Sequence, residues 1–178
     1  MKILGLDCST QSLAFGIIED GVLLSYGEYF FDGSNVYARA TDAMIKTKAM
    51  LSELTVDYIA IEKTVMVRSI DTAIKMALTA GAVLAVLGEQ GSKIVEVPPI
   101  SWQSFINNKP IVGIEKRTLL AEHKELKTKA QIQKYIREYR KNRTIAWVKE
   151  TFDTEVTSNN ISDAIGVAYF AAMKLVIA

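Results

Sequence analysis

The chain has 178 residues, 49% of them hydrophobic, with a formal net charge of +1, one cysteine and one histidine. That length and composition suit a single globular domain with a real core. They exclude an internal disulfide framework, argue against a zinc site of the nitrogen–sulfur kind, and fit a reducing cytoplasm for the lone Cys8. No long uncharged apolar run stands out, so no membrane span is expected. The start, Met1-Lys2 followed by a few apolar residues, is too short for a secretory signal.

Lys2 to Asp7 reads as a strand, Leu13 to Glu19 as a second and Val22 to Phe31 as a third. Asp20-Gly21 marks a two-residue hairpin between the last two. Asp32-Gly33-Ser34 breaks the pattern, and Asn35 to Leu54 has helical spacing. Val56 to Ile61 is a short strand, apolar enough to be central and parallel, and it ends in Glu62. Asp71 is placed to cap an Ala- and Gly-rich helix from about Thr72 to Gln90. Ile94 to Val97 is a further strand, stopped by Pro98-Pro99, and a short helix surrounds Ser101–Ile106. A basic helix runs from about Thr128 to Phe152, and an Ala-rich helix from Ser162 to Ile177 with Asp163 in its first turn. Three antiparallel strands followed by βα units predict an α/β fold: a mixed five-stranded sheet with helices on both faces. One domain over residues 1–178 is expected, with a basic helical insertion at about 109–150.

The charge is unevenly spread. Between Lys109 and Glu150 stand 12 Lys or Arg against 5 Glu, so this segment carries +7 on a chain whose total is +1. A basic lobe on an acidic body suits a polyanionic partner held on one side, although charge runs are often only a solvated helical face. His123, in the charged run Glu122-His-Lys-Glu125, reads as solvated rather than as the base of a Ser-His-Asp site.

Three acids share one property. Asp7 ends the first strand, Glu62 ends the first βα strand, and Asp163 opens the last helix. Ligands in open α/β sheets bind at the carboxyl ends of strands near a switch point. Singly, each acid has a plain structural explanation: a turn cap for Asp7, a surface pair with Lys63 or Arg68 for Glu62, a favourable helix N-terminus for Asp163. Together they repel, and remain ionised only if a cation neutralises them. All-oxygen ligation selects Mg²⁺ or Mn²⁺. Such a cluster can hold two ions about 4 Å apart and support in-line phosphoryl displacement.

Four stretches resemble the RuvC family of Holliday-junction resolvases, within the RNase H-like superfamily. They are Ile3-Leu-Gly-Leu-Asp-Cys-Ser-Thr-Gln-Ser-Leu-Ala-Phe-Gly-Ile17, Ile59-Ala-Ile-Glu-Lys-Thr-Val-Met66, Lys129-Ala-Gln-Ile-Gln133 behind Ile111-Val-Gly113, and Ser162-Asp-Ala-Ile-Gly-Val-Ala168. The resemblance implies Asp7, Glu62 and Asp163 as metal-binding acids and Lys129 as a lysine working beside the site, with Lys109 near another such lysine. It implies a homodimer making paired symmetric nicks in four-way DNA, leaving 5′-phosphate and 3′-hydroxyl ends. Lys109, Lys116, Arg117, Lys129, Lys134 and Arg137 are the candidates for contact with the DNA backbone. The chain departs from the family pattern at three places. Asn160 stands where a fourth acid or a histidine is usual, and is a candidate neutral ligand. Val65 and Met66 stand where an aromatic often stacks at the junction centre. The charged stretch between Ile114 and Thr128 is longer, as in phage resolvases, for which the compartment would be the host cytoplasm.

Two other readings stay open. Gly5-Leu-Asp-Cys-Ser-Thr-Gln-Ser12 also resembles the first phosphate loop of ATP-binding sugar kinases, actin and heat-shock chaperones. A non-catalytic junction- or RNA-binding protein on a decayed nuclease fold is the other, and Asn160 speaks for it.

Overall fold

The structure is a computed structural model and describes residues 1–51, 53–64, 69–89 and 91–175. Strands β1 (Lys2–Cys8), β2 (Ser12–Glu19) and β3 (Val22–Phe30) form an antiparallel meander. Helix α1 (Val36–Leu51) leads to β4 (Tyr58–Glu62), α2 (Ile70–Gly88), β5 (Lys93–Val97), α3 (Pro99–Phe105), α4 (Gly113–Ala121), α5 (Lys129–Phe152) and α6 (Asn159–Leu175). The sheet order is β3-β2-β1-β4-β5, with β1, β4 and β5 parallel. This is the mixed five-stranded sheet expected from the sequence. The β2–β3 hairpin turns on Asp20 and Gly21, both at positive φ (49° and 84°), as a two-residue loop of the primed type requires.

Alternation along β1 divides the core. Leu4 and Leu6 face one side, packed with Phe15, Ile59, Ala43 of α1 and Val83 and Leu87 of α2. Ile3 faces the other side, packed with Ile18, Ala60, Trp102 of α3, Val148 of α5 and Ile165 and Ala168 of α6. Gly5 and Gly16 lie opposite each other across β1 and β2. A Cβ on Gly5 would sit 2.3 Å from the Ala164 carbonyl oxygen, and one on Gly16 2.9 Å from Ile165 Cα. The two missing side chains let α6 settle directly on the sheet.

Several sequence expectations shift. Ser69, not Asp71, caps α2: its Oγ accepts from the Thr72 N–H, while Asp71 pairs with Lys75 one turn on. A serine just outside the first turn satisfies an orphan donor, whereas Asp71 is already helical. Helix α6 begins at Asn159, so Asp163 lies beyond the first turn and is not a helix-terminus residue. Its start is fixed by Ser158, whose carbonyl and Oγ accept from Ser162 and Ile161. Helix α4 lies in the stretch read only as extra charged sequence; it buries no residue and is tied to α5 by the Glu115–Arg143 ion pair. Helix α5 opens as anticipated, with a capping box between Thr128 and Gln131.

Helix α2 is long and apolar enough, by length and composition alone, to cross a membrane, which the sequence reading did not register. Thr79, Val83, Val86 and Leu87 bury one side of it against α1 and the sheet. Its other side is open: Ile70 is 81% exposed, Ile74 55% and Leu78 39%.

Candidate functional site

Strands β1 and β4 run in parallel register with Leu6 opposite Ile61. The next residues, Asp7 and Glu62, therefore emerge side by side at the carboxyl edge, one interstrand spacing of about 4.8 Å apart. Asp7 shares the face of Ile3 and Gly5, the face that α6 covers. The close seating of α6 on the glycines brings Asp163, adjacent to Ala164, into electrostatic range of both other acids. The topology thus brings the three carboxylates that the sequence singled out, from β1, β4 and α6, into electrostatic range of one another. Asp7, Glu62, Cys8, Thr64 and Pro99 line a cleft of about 110 Å³. Asp163 lines a separate cavity of about 150 Å³ with Arg137, Arg140 and Lys141 of α5.

Burial dominates the chemistry of these acids. Asp7 is pushed up to about 7 by desolvation first, then by the charges of Glu62 and Glu28, with Lys141 opposing. Asp163 is pushed up to about 8 by desolvation, then by Asp7 and Glu62, with Lys141 and Arg140 opposing. Glu62 is raised by burial and pulled back by a hydrogen bond from Trp102. That bond runs from Trp102 Nε1 to Glu62 Oε1 at 2.8 Å. Trp102 is fully buried, with its ring against Gly166, where a Cβ would meet Trp102 Cζ3 at 2.7 Å. Glu62 is therefore held from below by a rigid indole.

Among the described residues, neither Asp7 nor Asp163 receives a hydrogen bond or an ion-pair contact at its carboxylate. No three His, Cys, Asp or Glu side chains among the described residues are gathered closely enough to hold a metal ion as they stand. The donor chemistry nevertheless fits a hard divalent cation: carboxylate oxygens only, with Asp7 and Asp163 unpaired among the described residues and raised by burial and repulsion that a cation reverses. Asn159 Oδ1, at the first position of α6, is also buried without a donor. Asn160, expected as a neutral ligand through its amide oxygen, donates from Nδ2 to Glu28 Oε1 at 2.6 Å.

The basic residues divide. Lys141 and Arg140, not singled out in the sequence, are the α5 cations whose charge reaches the acids. Arg137 shares the Asp163 cavity. Lys129 lies exposed in the first turn of α5, twelve residues before Lys141 and so about 18 Å away along the helix axis. Lys109, Lys116, Arg117 and Lys134 are exposed, on the loop after α3, on α4 and on α5. Val65 and Met66, and the Arg68 considered as a partner of Glu62, lie outside the described residues. Loop and helix are locked together by Asn108, whose Nδ2 donates to the Arg140 carbonyl and Thr144 Oγ1, and by Arg140, which donates to Gln103 and to the Asn108 carbonyl.

Over residues 3–171 the sequence matches the family of crossover junction endodeoxyribonuclease RuvC. The chain belongs to the RuvC family. No curated protein sequence matches it. Among solved structures it is similar to Thermus thermophilus RuvC in complex with a Holliday junction substrate, at 14% identity and a TM-score of 0.73, covering 99% of this chain and 96% of that one. Thermus thermophilus RuvC in a second structure gives 14% identity and a TM-score of 0.70 over the same shares. The yeast mitochondrial Holliday junction resolvase Ydc2 gives 12% identity and a TM-score of 0.51, covering 96% of this chain and 77% of that one. RuvC-family nucleases are metal-dependent, in keeping with the oxygen-only donor set.

The resemblance read from the four stretches is thus borne out, and with it the fold. Sequence reasoning missed Glu28, Trp102, Arg140 and Lys141. Glu28 occupies one polar position in an alternating edge strand, and Arg140 and Lys141 are two cations in a run of many. Nothing local sets any of the four apart.

Proposed function

We propose that this RuvC-family protein is a divalent-metal-dependent endonuclease that cuts four-way or other branched DNA. The observation that carries this reading is that Asp7, Glu62 and Asp163 lie within electrostatic range of one another beside the cations of α5, with no hydrogen bond or ion pair at Asp7 or Asp163 among the described residues. Mg²⁺ or Mn²⁺ held by those three acids as two ions would supply an activated water and charge stabilisation at the scissile phosphate. The protein's own part is separate. Trp102 fixes Glu62, α6 fixes Asp163 against Asp7, and Lys141 and Arg140 offer donors to phosphate oxygens next to the acids. Lys109, Lys116, Arg117, Lys129, Lys134 and Arg137 extend the basic surface for backbone contacts that fix position without reading sequence.

Two symmetric nicks need two sites related by a two-fold axis, which makes a homodimer with an isologous interface part of the proposal. The open side of α2 supports it: Ile70, Ile74, Leu78, Gly81, Ala85 and Gly88 recur at helical spacing, with no atom within 4 Å of a Cβ built at either glycine. The test is cleavage of four-way, three-way, flap and linear duplex DNA with Mg²⁺ or Mn²⁺. Preferential paired nicking of the four-way substrate, lost in Asp7→Asn while junction binding persists, is expected. Binding without any metal-dependent cleavage would favour the non-catalytic alternative.

A further inference from the structure

Cross-strand register puts Asp7 of β1 opposite Ala14 of β2, and Ala14 opposite Glu28 of β3. Directly opposed residues share a face, so Glu28 lies on the α6 side in the same row as Asp7, about 10 Å away along the backbone spacing. The residue between them is alanine, buried under α6, so no charged or polar side chain stands between the two acids in that row. Both Glu28 carboxylate oxygens are engaged by the start of α6: Ser158 Oγ donates to Oε2 and Asn160 Nδ2 to Oε1, each at 2.6 Å. These donors are neutral, and no described cation pairs with Glu28, so its charge stays uncompensated and is felt at Asp7.

We propose that Glu28 supplies the fourth negative charge of the acidic site, in place of an acid at position 160, with Asn160 and Ser158 orienting it. This rests on the metal-dependent reading above and assigns Glu28 a positioning and charge role, not metal contact. A purely structural tie between β3 and α6 would work as well with a neutral side chain. A site that gathers divalent cations gains from one more fixed carboxylate at its rim, held so that it cannot turn away. Asn160 then acts as a hydrogen-bond donor rather than as a ligand.

The experiment measures Mn²⁺ binding to the metal-free full chain by isothermal titration, with thermal unfolding in EDTA alongside. Glu28→Gln keeps both contacts, since its amide oxygen accepts from Asn160 and its amide nitrogen donates to Ser158 Oγ, and removes only the charge. It is expected to weaken Mn²⁺ binding by about tenfold, the lower end of outer-shell effects, with Tm in EDTA no lower than wild type. The swap Glu28→Gln with Asn160→Asp moves the charge three residues before Asp163 and reverses the hydrogen bond. It is expected to restore binding toward wild type. Wild-type Mn²⁺ affinity in Glu28→Gln, or a swap no better than Glu28→Gln, overturns the proposal. Asp7→Asn is the separate control: if it too binds Mn²⁺ like wild type, the metal-site reading fails rather than the role of Glu28.

Discussion

Replacing Asp7 by Asn is expected to stabilise the metal-free protein, and to do so in proportion to pH. The carboxyl of Asp7 stands at about 7 in the folded chain against an ordinary 3.8, chiefly because it is buried. The folded state therefore binds more protons than the unfolded one between those values, and stability falls as pH rises through that window. Below pH 4 the acid is neutral in both states and Asn should match Asp. Above pH 7 the full shift counts, about 3 units or roughly 4 kcal/mol at 1.36 kcal/mol per unit. Relief of Asp163, which Asp7 also raises, acts in the same direction. For a chain of this size the gain corresponds to roughly 10 °C in Tm at pH 8. Urea and thermal unfolding in EDTA from pH 4 to 8 would measure it. Mn²⁺ at about 100 times Kd should narrow the gap, because it adds roughly 2.7 kcal/mol to a protein that keeps its site. If the two proteins unfold in parallel across the pH range in EDTA, the burial assigned to Asp7 is wrong.

Trp102→Phe removes the donor to Glu62 and should cost roughly 1–3 kcal/mol in urea unfolding. Because that bond holds the Glu62 pKa down, its loss should also move the acid limb of the cleavage pH profile upward. Lys141→Ala leaves Asp7 and Asp163 with less opposing charge, so cleavage at neutral pH should fall. The salt dependence of junction binding should lose about one unit of slope, read from binding isotherms at several ionic strengths. Gly5→Ala would press a methyl to 2.3 Å from a backbone oxygen of α6 and should cost about 1–3 kcal/mol or more, seen as a lower Tm.

The sheet was legible because its signals are local and periodic. Two apolar strands, an alternating third, the Asp20-Gly21 turn and the apolar run before Glu62 each dictate strand structure within a few residues. Asp7 and Glu62 were legible because they end apolar strand runs, where a charge needs a reason, and Asp163 because it interrupts an apolar helical run, although α6 starts earlier than its sequence suggested. The order of the motifs also sufficed for the family. What the sequence alone could not determine is which side chains meet across elements far apart in the chain. Glu28 and Asn160 are 132 residues apart, and Trp102 and Glu62 are 40 apart. Lys141 rather than Lys129 reaches the acids because three helical turns separate them on α5, and only the docking of α5 on α6 fixes which turn faces the site. Asp7 was readable as a carboxylate costly to bury at the end of one strand. That α6 would seat on Gly5 and Gly16 closely enough to bring Asp163 to it was decided by packing, where the absence of two Cβ atoms sets the distance.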